Sequence, residues 1–292
     1  MQCGEGPYDG TVDFRTVGTG EQRFVVSQAG EGPDIVLLHG FPDTPFTWLE
    51  IREALLADGW RVSVAWLRGY HPDTLLPGRP YDPETLGHDA LGLLDALDIS
   101  RAVLLGHDWG ALLTYVAAAL QPERLRGIIT CDIPHPSLAK PTPGALWSAR
   151  HVIALKTPWA AWHCRRKDFA YLDVLYRRVA PRWSGQEREE ALERAKQALS
   201  SPATLNGALG YYRDLSRHLP PAAEKVGAVP GLIIGGAETP SVEGMFEQTA
   251  ELLPKPSRAV IVPGTGHWPQ REKPELVLPE ILAFLSELPA QG

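Results

Sequence analysis

LLGHDWGALLTY, residues 104–115, decides how this chain is read. Four apolar residues, Ala102 to Leu105, run into Gly106-His107-Asp108-Trp109-Gly110, and helix formers follow. The pattern predicts a short buried strand, a sharp turn and a helix. Two glycines bracket one charged residue at the tightest point, where the backbone folds back on itself and small neighbours are needed. Junctions of this kind more often read G-x-S-x-G, with serine as a nucleophile. Asp108 stands where that serine would be, so either the turn is inert or its chemistry uses a carboxylate.

Working outward, strands and helices alternate. TVDFRTV and QRFVVSQ, separated by GTGE, read as an antiparallel hairpin. DIVLLHG and WRVSVAWL read as strands around the helix WLEIREALLADG, which Gly59 stops. DPETLGHDALGLLDALDI is a helix with acidic residues in its first turn, and LRGIITCDIPHP a strand ending near Asp132. The alternation lapses over 136–221, a stretch rich in tryptophan and basic residues with helical character. It then resumes with VPGLIIGG, VEGMFEQTAELL, SRAVIVPG and KPELVLPEILAFLSEL. The expected architecture is α/β: a mostly parallel central sheet with helices on both faces, formed by 1–135 and 222–292, and an inserted helical cap over 136–221. Ligands of open α/β sheets bind at the carboxyl ends of the strands, so the insertion should roof the site.

Bulk properties narrow the function classes. At 292 residues, with 44% hydrophobic and 22% charged residues, the chain suits one large globular domain with an insertion. A net charge of −7 argues against nucleic acid or an anionic membrane as partner. No secretory signal or membrane span is expected. Cys3, Cys131 and Cys164 make neither a disulfide framework nor a zinc spacing, and a reducing cytoplasm fits. The expected partners are a small-molecule substrate and water, with no cofactor or metal, in a monomer or homodimer.

Three strand ends carry chemistry: His39-Gly40-Phe41-Pro42, Asp108, and Gly266-His267-Trp268. Nucleophile, oxyanion donors and base are the parts of covalent acyl-type catalysis. With HGFPD, LRGY, GHDWG and GTGHWPQREKP in this order, the chain resembles the α/β-hydrolase fold family from about residue 20 to 288. Asp108 followed by Trp109 is similar to its epoxide hydrolases and haloalkane dehalogenases. The resemblance implies that Asp108 attacks an sp³ carbon, that the alkyl ester is hydrolysed by water activated by His267, and that the amides of Phe41 and Trp109 hold the oxyanion. His39 and His107 read as structural.

The base needs a carboxylate partner. In the family this acid follows either the strand VPGLIIGG, where counting from Gly235 gives Glu238 and from Gly236 gives Thr239, or the strand after the nucleophile helix, where Asp132 stands. Both Asp132 and Glu238 are candidates. Epoxide opening also needs a proton donor, which the family takes from cap tyrosines. GALGYYRDLSR matches the segment carrying one, at Tyr212. The early cap segment GALWSARHVIALK has no tyrosine, leaving His151, then Tyr171 or Tyr176. Dehalogenation would need N–H donors for halide: Trp109 and one of Trp147, Trp159 or Trp162. An ester hydrolase and a non-catalytic ligand-binding protein are the remaining alternatives. Arg165-Arg166-Lys167 reads as a solvated helix face.

Overall fold

The computed structural model describes residues 12–18, 22–138, 150–215, 226, 228–239 and 244–289. Eight strands form one sheet: β1 (Arg15–Val17), β2 (Phe24–Ala29), β3 (Asp34–Leu38), β4 (Arg61–Trp66), β5 (Ala102–His107), β6 (Leu125–Cys131), β7 (Gly231–Gly236) and β8 (Arg258–Val262). Their spatial order is β1-β2-β4-β3-β5-β6-β7-β8. The β1–β2 and β2–β4 pairings are antiparallel and the rest parallel.

The strand sequences explain the layering. Strands buried on both faces must be apolar at every position, with alternate residues serving opposite cores. Along β3, Ile35 and Leu37 enter one core while Val36 and Leu38 enter the other. Helices α1 (Leu49–Ala57) and α10 (Pro274–Glu287) cover the first core through Ile51, Leu55, Val277, Ile281 and Phe284. On the other face lie α2 (Pro83–Ala96), α3 (Trp109–Leu120) and α8 (Met245–Leu252). A short helix, α9 (Pro269–Glu272), precedes α10.

Between β6 and β7 the described regular elements are all helical: after a single turn at Pro136–Leu138 come α4 (Arg150–Lys156), α5 (Ala160–Val179), α6 (Gln186–Ala198) and α7 (Pro202–Asp214). The expected return of the insertion at residue 222 lies outside the described residues. α5 is two helical pieces, because Arg166 is extended and Lys167, Asp168 and Phe169 take positive φ. Arg165-Arg166-Lys167 is therefore not the regular helix face expected. The insertion packs through Leu172, Tyr176, Leu205 and Leu209 onto the core that α2 and α3 share.

The order in which successive strands are added reverses at β3, since β4 lies on one side of it and β5 on the other. Loops leaving β3 and β5 thus part at their carboxyl ends, which opens a crevice there. Both HGFPD and GHDWG leave from those ends.

Candidate active site

Asp108 is the hinge between β5 and α3, with φ 52° and ψ −117°. A non-glycine residue pays for such a conformation, and strain of this kind is retained where neighbours over-determine it. Those neighbours are identifiable. The Gly110 amide donates to the His39 carbonyl at 3.0 Å, and a Cβ on Gly110 would lie 2.1 Å from the Leu38 oxygen. Gly40 passes so near Asp108 that its Cβ would meet the Asp108 Cβ at 2.4 Å. Only hydrogen fits at either position.

The Asp108 carboxylate has two distinct oxygens. Oδ1 accepts the Phe41 amide at 2.8 Å. Oδ2 lies 3.4 Å from His267 Nε2. Burial raises the Asp108 pKa, but the hydrogen bond and charge of His267 outweigh it, so the net shift is downward and the group is ionised at neutral pH. Trp109 opens α3, where an amide has no acceptor within its own helix.

His267 sits between two carboxylates. Its Nδ1 is 2.7 Å from Asp132 Oδ2. Burial alone would lower its pKa, yet hydrogen bonds and charge from Asp108 and Asp132 push it up to about 10. Asp132, at the end of β6, takes φ 60°. Its Oδ1 accepts the Gly236 amide at 2.9 Å and the Thr239 hydroxyl at 2.6 Å. Of the two candidate acids, the structure brings Asp132 to the histidine. Glu238 instead forms an ion pair with Arg182, which is exposed. Thr239, which cannot serve as the acid, anchors the acid that does the contacting.

Tyr212 reaches the site from α7. Its ring packs edge-on against Phe41 (5.2 Å) and Trp109 (5.1 Å). Burial pushes its phenol well above the usual tyrosine range, the Asp108 charge adds to this, and the Trp109 side chain opposes it. The other cap aromatics sort by partner. The Tyr176 hydroxyl donates to the Pro42 carbonyl at 2.8 Å and its ring stacks on Trp268, which makes it a pillar between insertion and core. Tyr171 is half-buried and near enough to Tyr212 to weigh on its ionisation. His151 is half-buried at the start of α4, which packs against α7. Trp159 and Trp162 are exposed, and Trp147 lies outside the described residues.

Two further histidines hold the loops. His39 is fully buried; its Nδ1 pairs with the Gly40 carbonyl at 2.9 Å and its Nε2 accepts the Leu67 amide at 3.1 Å. Burial lowers its pKa to about 4, so it is neutral. His107 Nε2 pairs with the His267 carbonyl at 2.7 Å, and burial lowers its pKa to about 3. Asp43, following HGFP, accepts the Trp268 indole N–H at 2.9 Å. From the insertion, the Val179 carbonyl accepts the His267 amide at 2.9 Å. His267 is thus held from the end of β5, from Asp132 after β6 and from the insertion together. The sequence reading missed Asp43 and Val179: a loop acid and a backbone carbonyl carry no pattern of their own.

Among the described residues no helix is long and apolar enough to cross a membrane. The model of the alpha/beta hydrolase family matches residues 35–280. The chain is 27% identical to epoxide hydrolase A of Mycobacterium tuberculosis, over 96% of this chain and 99% of that protein. It is 31% identical to the AB hydrolase superfamily protein YfhM of Bacillus subtilis, covering 94% and 98%. Among solved structures, epoxide hydrolase A from Mycobacterium thermoresistibile superposes with a TM-score of 0.80 at 26% identity, covering 96% of this chain and all of that one.

Proposed function

This chain belongs to the alpha/beta hydrolase family, and we propose that it is an epoxide hydrolase, converting small, largely apolar epoxides to diols through an ester on Asp108. The observation that carries the reading is a carboxylate at the elbow whose two oxygens have separate partners. The Phe41 amide holds Oδ1, which leaves Oδ2 to attack an epoxide carbon. The ring C–O bond breaks as the C–Oδ2 bond forms, and the departing alkoxide takes a proton from the Tyr212 hydroxyl. Burial keeps that phenol protonated, hence a donor, throughout the working pH range. Tyr171 is the side chain we place second, on its proximity to Tyr212. The helical insertion acts as a cap that delivers both.

The second step uses the rest of the site. Between two carboxylates His267 favours its protonated form, which is the wrong form for a base. Esterification turns Asp108 into a neutral group and removes one of the two charges, so the histidine pKa falls as a base comes to be needed. His267 Nε2 then takes a proton from water, and the hydroxide attacks the ester carbonyl carbon. The oxyanion develops on Oδ1, where the amides of Phe41 and Trp109 receive it. Collapse expels Oδ2 as the second diol oxygen, which takes the proton back from His267. The new Asp108 carboxyl then passes the remaining proton of the attacking water to His267. The proton that His267 shed on esterification replaces the one Tyr212 gave up, so carboxylate, imidazolium and phenol are all restored. Asp132 holds the Nδ1 proton throughout.

Intact mass of the His267→Gln variant after incubation with styrene oxide tests this reading. The expected result is a stable gain equal to the whole epoxide, mapped to Asp108 and absent from an Asp108→Asn control. A gain of a butyl group from 1-bromobutane, with none from the epoxide, would make the protein a dehalogenase instead. No adduct with either, in a folded variant, would overturn Asp108 as nucleophile.

A further inference from the structure

Charge on this chain is segregated. Residues 150–182 contain eight Lys or Arg and two Asp, a local +6 within a chain of net −7. The same stretch holds four of the seven large apolar side chains exposed among the described residues: Ile153, Trp159, Trp162 and Val174. Trp159 is 74% exposed and Trp162 60%, although indoles are ordinarily buried. Positions 159 and 162 stand three apart at the start of α5, before its break at Arg166, so they share a face. Arg166 lies over the Trp162 ring at 4.6 Å. Arg165, Arg166 and Lys167 are all exposed and make no ion pair among the described residues. The adjacent Asp168 is neutralised by Lys196 at 2.9 Å.

We propose that this face of the insertion, formed by Trp159, Trp162, Arg165, Arg166 and Lys167, docks the protein on an anionic lipid surface. Indole rings prefer the boundary between water and hydrocarbon, with the ring body in apolar surroundings and the N–H at the headgroups. Adjacent guanidinium and ammonium groups add attraction to anionic headgroups. The negative charge on the remainder of the chain does not cancel this. At physiological ionic strength charges are screened beyond about 8 Å, so a lipid surface feels the patch that touches it. The patch also adjoins the candidate site, since His163 packs its ring on Tyr171 at 4.6 Å. A lipid surface there would present apolar molecules beside the insertion that covers Asp108.

Vesicle flotation of the intact protein tests the docking face, whatever the reaction proves to be. Each basic side chain near an anionic surface raises partitioning about fivefold, so three raise it about a hundredfold. The expected result is co-flotation with phosphatidylcholine vesicles containing about 30 mol% phosphatidylglycerol, and little with phosphatidylcholine alone. Binding should weaken strongly between about 0.05 and 0.5 M salt. The triple variant Arg165→Gln/Arg166→Gln/Lys167→Gln should fall to the neutral-vesicle level, and Trp159→Ser/Trp162→Ser should also bind more weakly. Both variants should keep the wild-type melting temperature and turnover of a water-soluble substrate. Failure of the wild type to float with anionic vesicles overturns the proposal, as does binding unchanged in both variants. Self-association that depends on the tryptophans, without vesicle binding, assigns the face to a second copy of the chain and overturns it equally.

Discussion

Replacing Asp132 by asparagine keeps the shape of the site and inverts one hydrogen bond. At the Oδ1 position two donors converge, the Gly236 amide at 2.9 Å and the Thr239 hydroxyl at 2.6 Å. The amide N–H can only donate. An asparagine therefore settles with its carbonyl oxygen there and turns its NH₂ toward His267 Nδ1, where Oδ2 now stands at 2.7 Å. His267 must then accept at Nδ1 and carry its proton on Nε2, the nitrogen that faces Asp108 and should take a proton from water. The same change in a serine-protease triad lowers kcat about 10⁴-fold through the wrong tautomer. The loss should fall on ester hydrolysis, because attack by Asp108 requires no base. Rapid mixing of Asp132→Asn with excess epoxide should show a burst of one equivalent consumed per site, followed by turnover slowed about 10³–10⁴-fold, with the ester visible by mass. Glu238→Gln should stay within about threefold of wild type, since it removes only a surface ion pair. Steady-state turnover of Asp132→Asn within tenfold of wild type, or an equal loss in Glu238→Gln, would refute the assignment.

Other perturbations read different parts of the site. Tyr212→Phe should slow single-turnover ester formation by about 10²–10⁴-fold and leave breakdown of the preformed ester unchanged, measured by quench-flow. Gly40→Ala forces a Cβ to within 2.4 Å of the Asp108 Cβ and 2.5 Å of its Oδ1; it should lower stability by about 1–3 kcal/mol in urea melts and abolish ester formation. Stability should also depend on His267. Its pKa is raised from 6.5 to about 10 in the fold, so its contribution is complete below pH 6.5 and is lost as pH rises toward 10. Between about pH 7 and 8.5 the unfolding free energy should fall by roughly 1 kcal/mol per pH unit in wild type and stay flat in His267→Gln, as followed by urea denaturation.

What was legible in the sequence is what short-range physics determines. The apolar run at 102–105, the glycines at 106 and 110, and the helix formers after them dictate strand, elbow and helix, because a turn that tight admits no other residues beside it. Alternating strands and helices, with a lapse at the insertion, imply the layered sheet, since strands buried on both faces must be apolar throughout. The residue types Asp108, His267 and Phe41 were visible for the same reason: each follows an element whose end is marked locally.

Only the tertiary structure decided which groups meet. On paper Asp132 is favoured, because GGAETPS is an irregular match, but Glu238 stays open. Pairing of β6 with β7 brings the Gly236 amide and Thr239 hydroxyl to Asp132, while Glu238 points to Arg182. Those partners are more than a hundred residues away from Asp132, and register across a sheet is a property of the assembled fold. The cap tyrosines diverge in the same way. Tyr171 and Tyr176 follow the same break at Arg166–Phe169, yet one weighs on Tyr212 and the other bonds Pro42. A run of positive φ at three non-glycine residues has no sequence signature, because only surrounding packing can impose it.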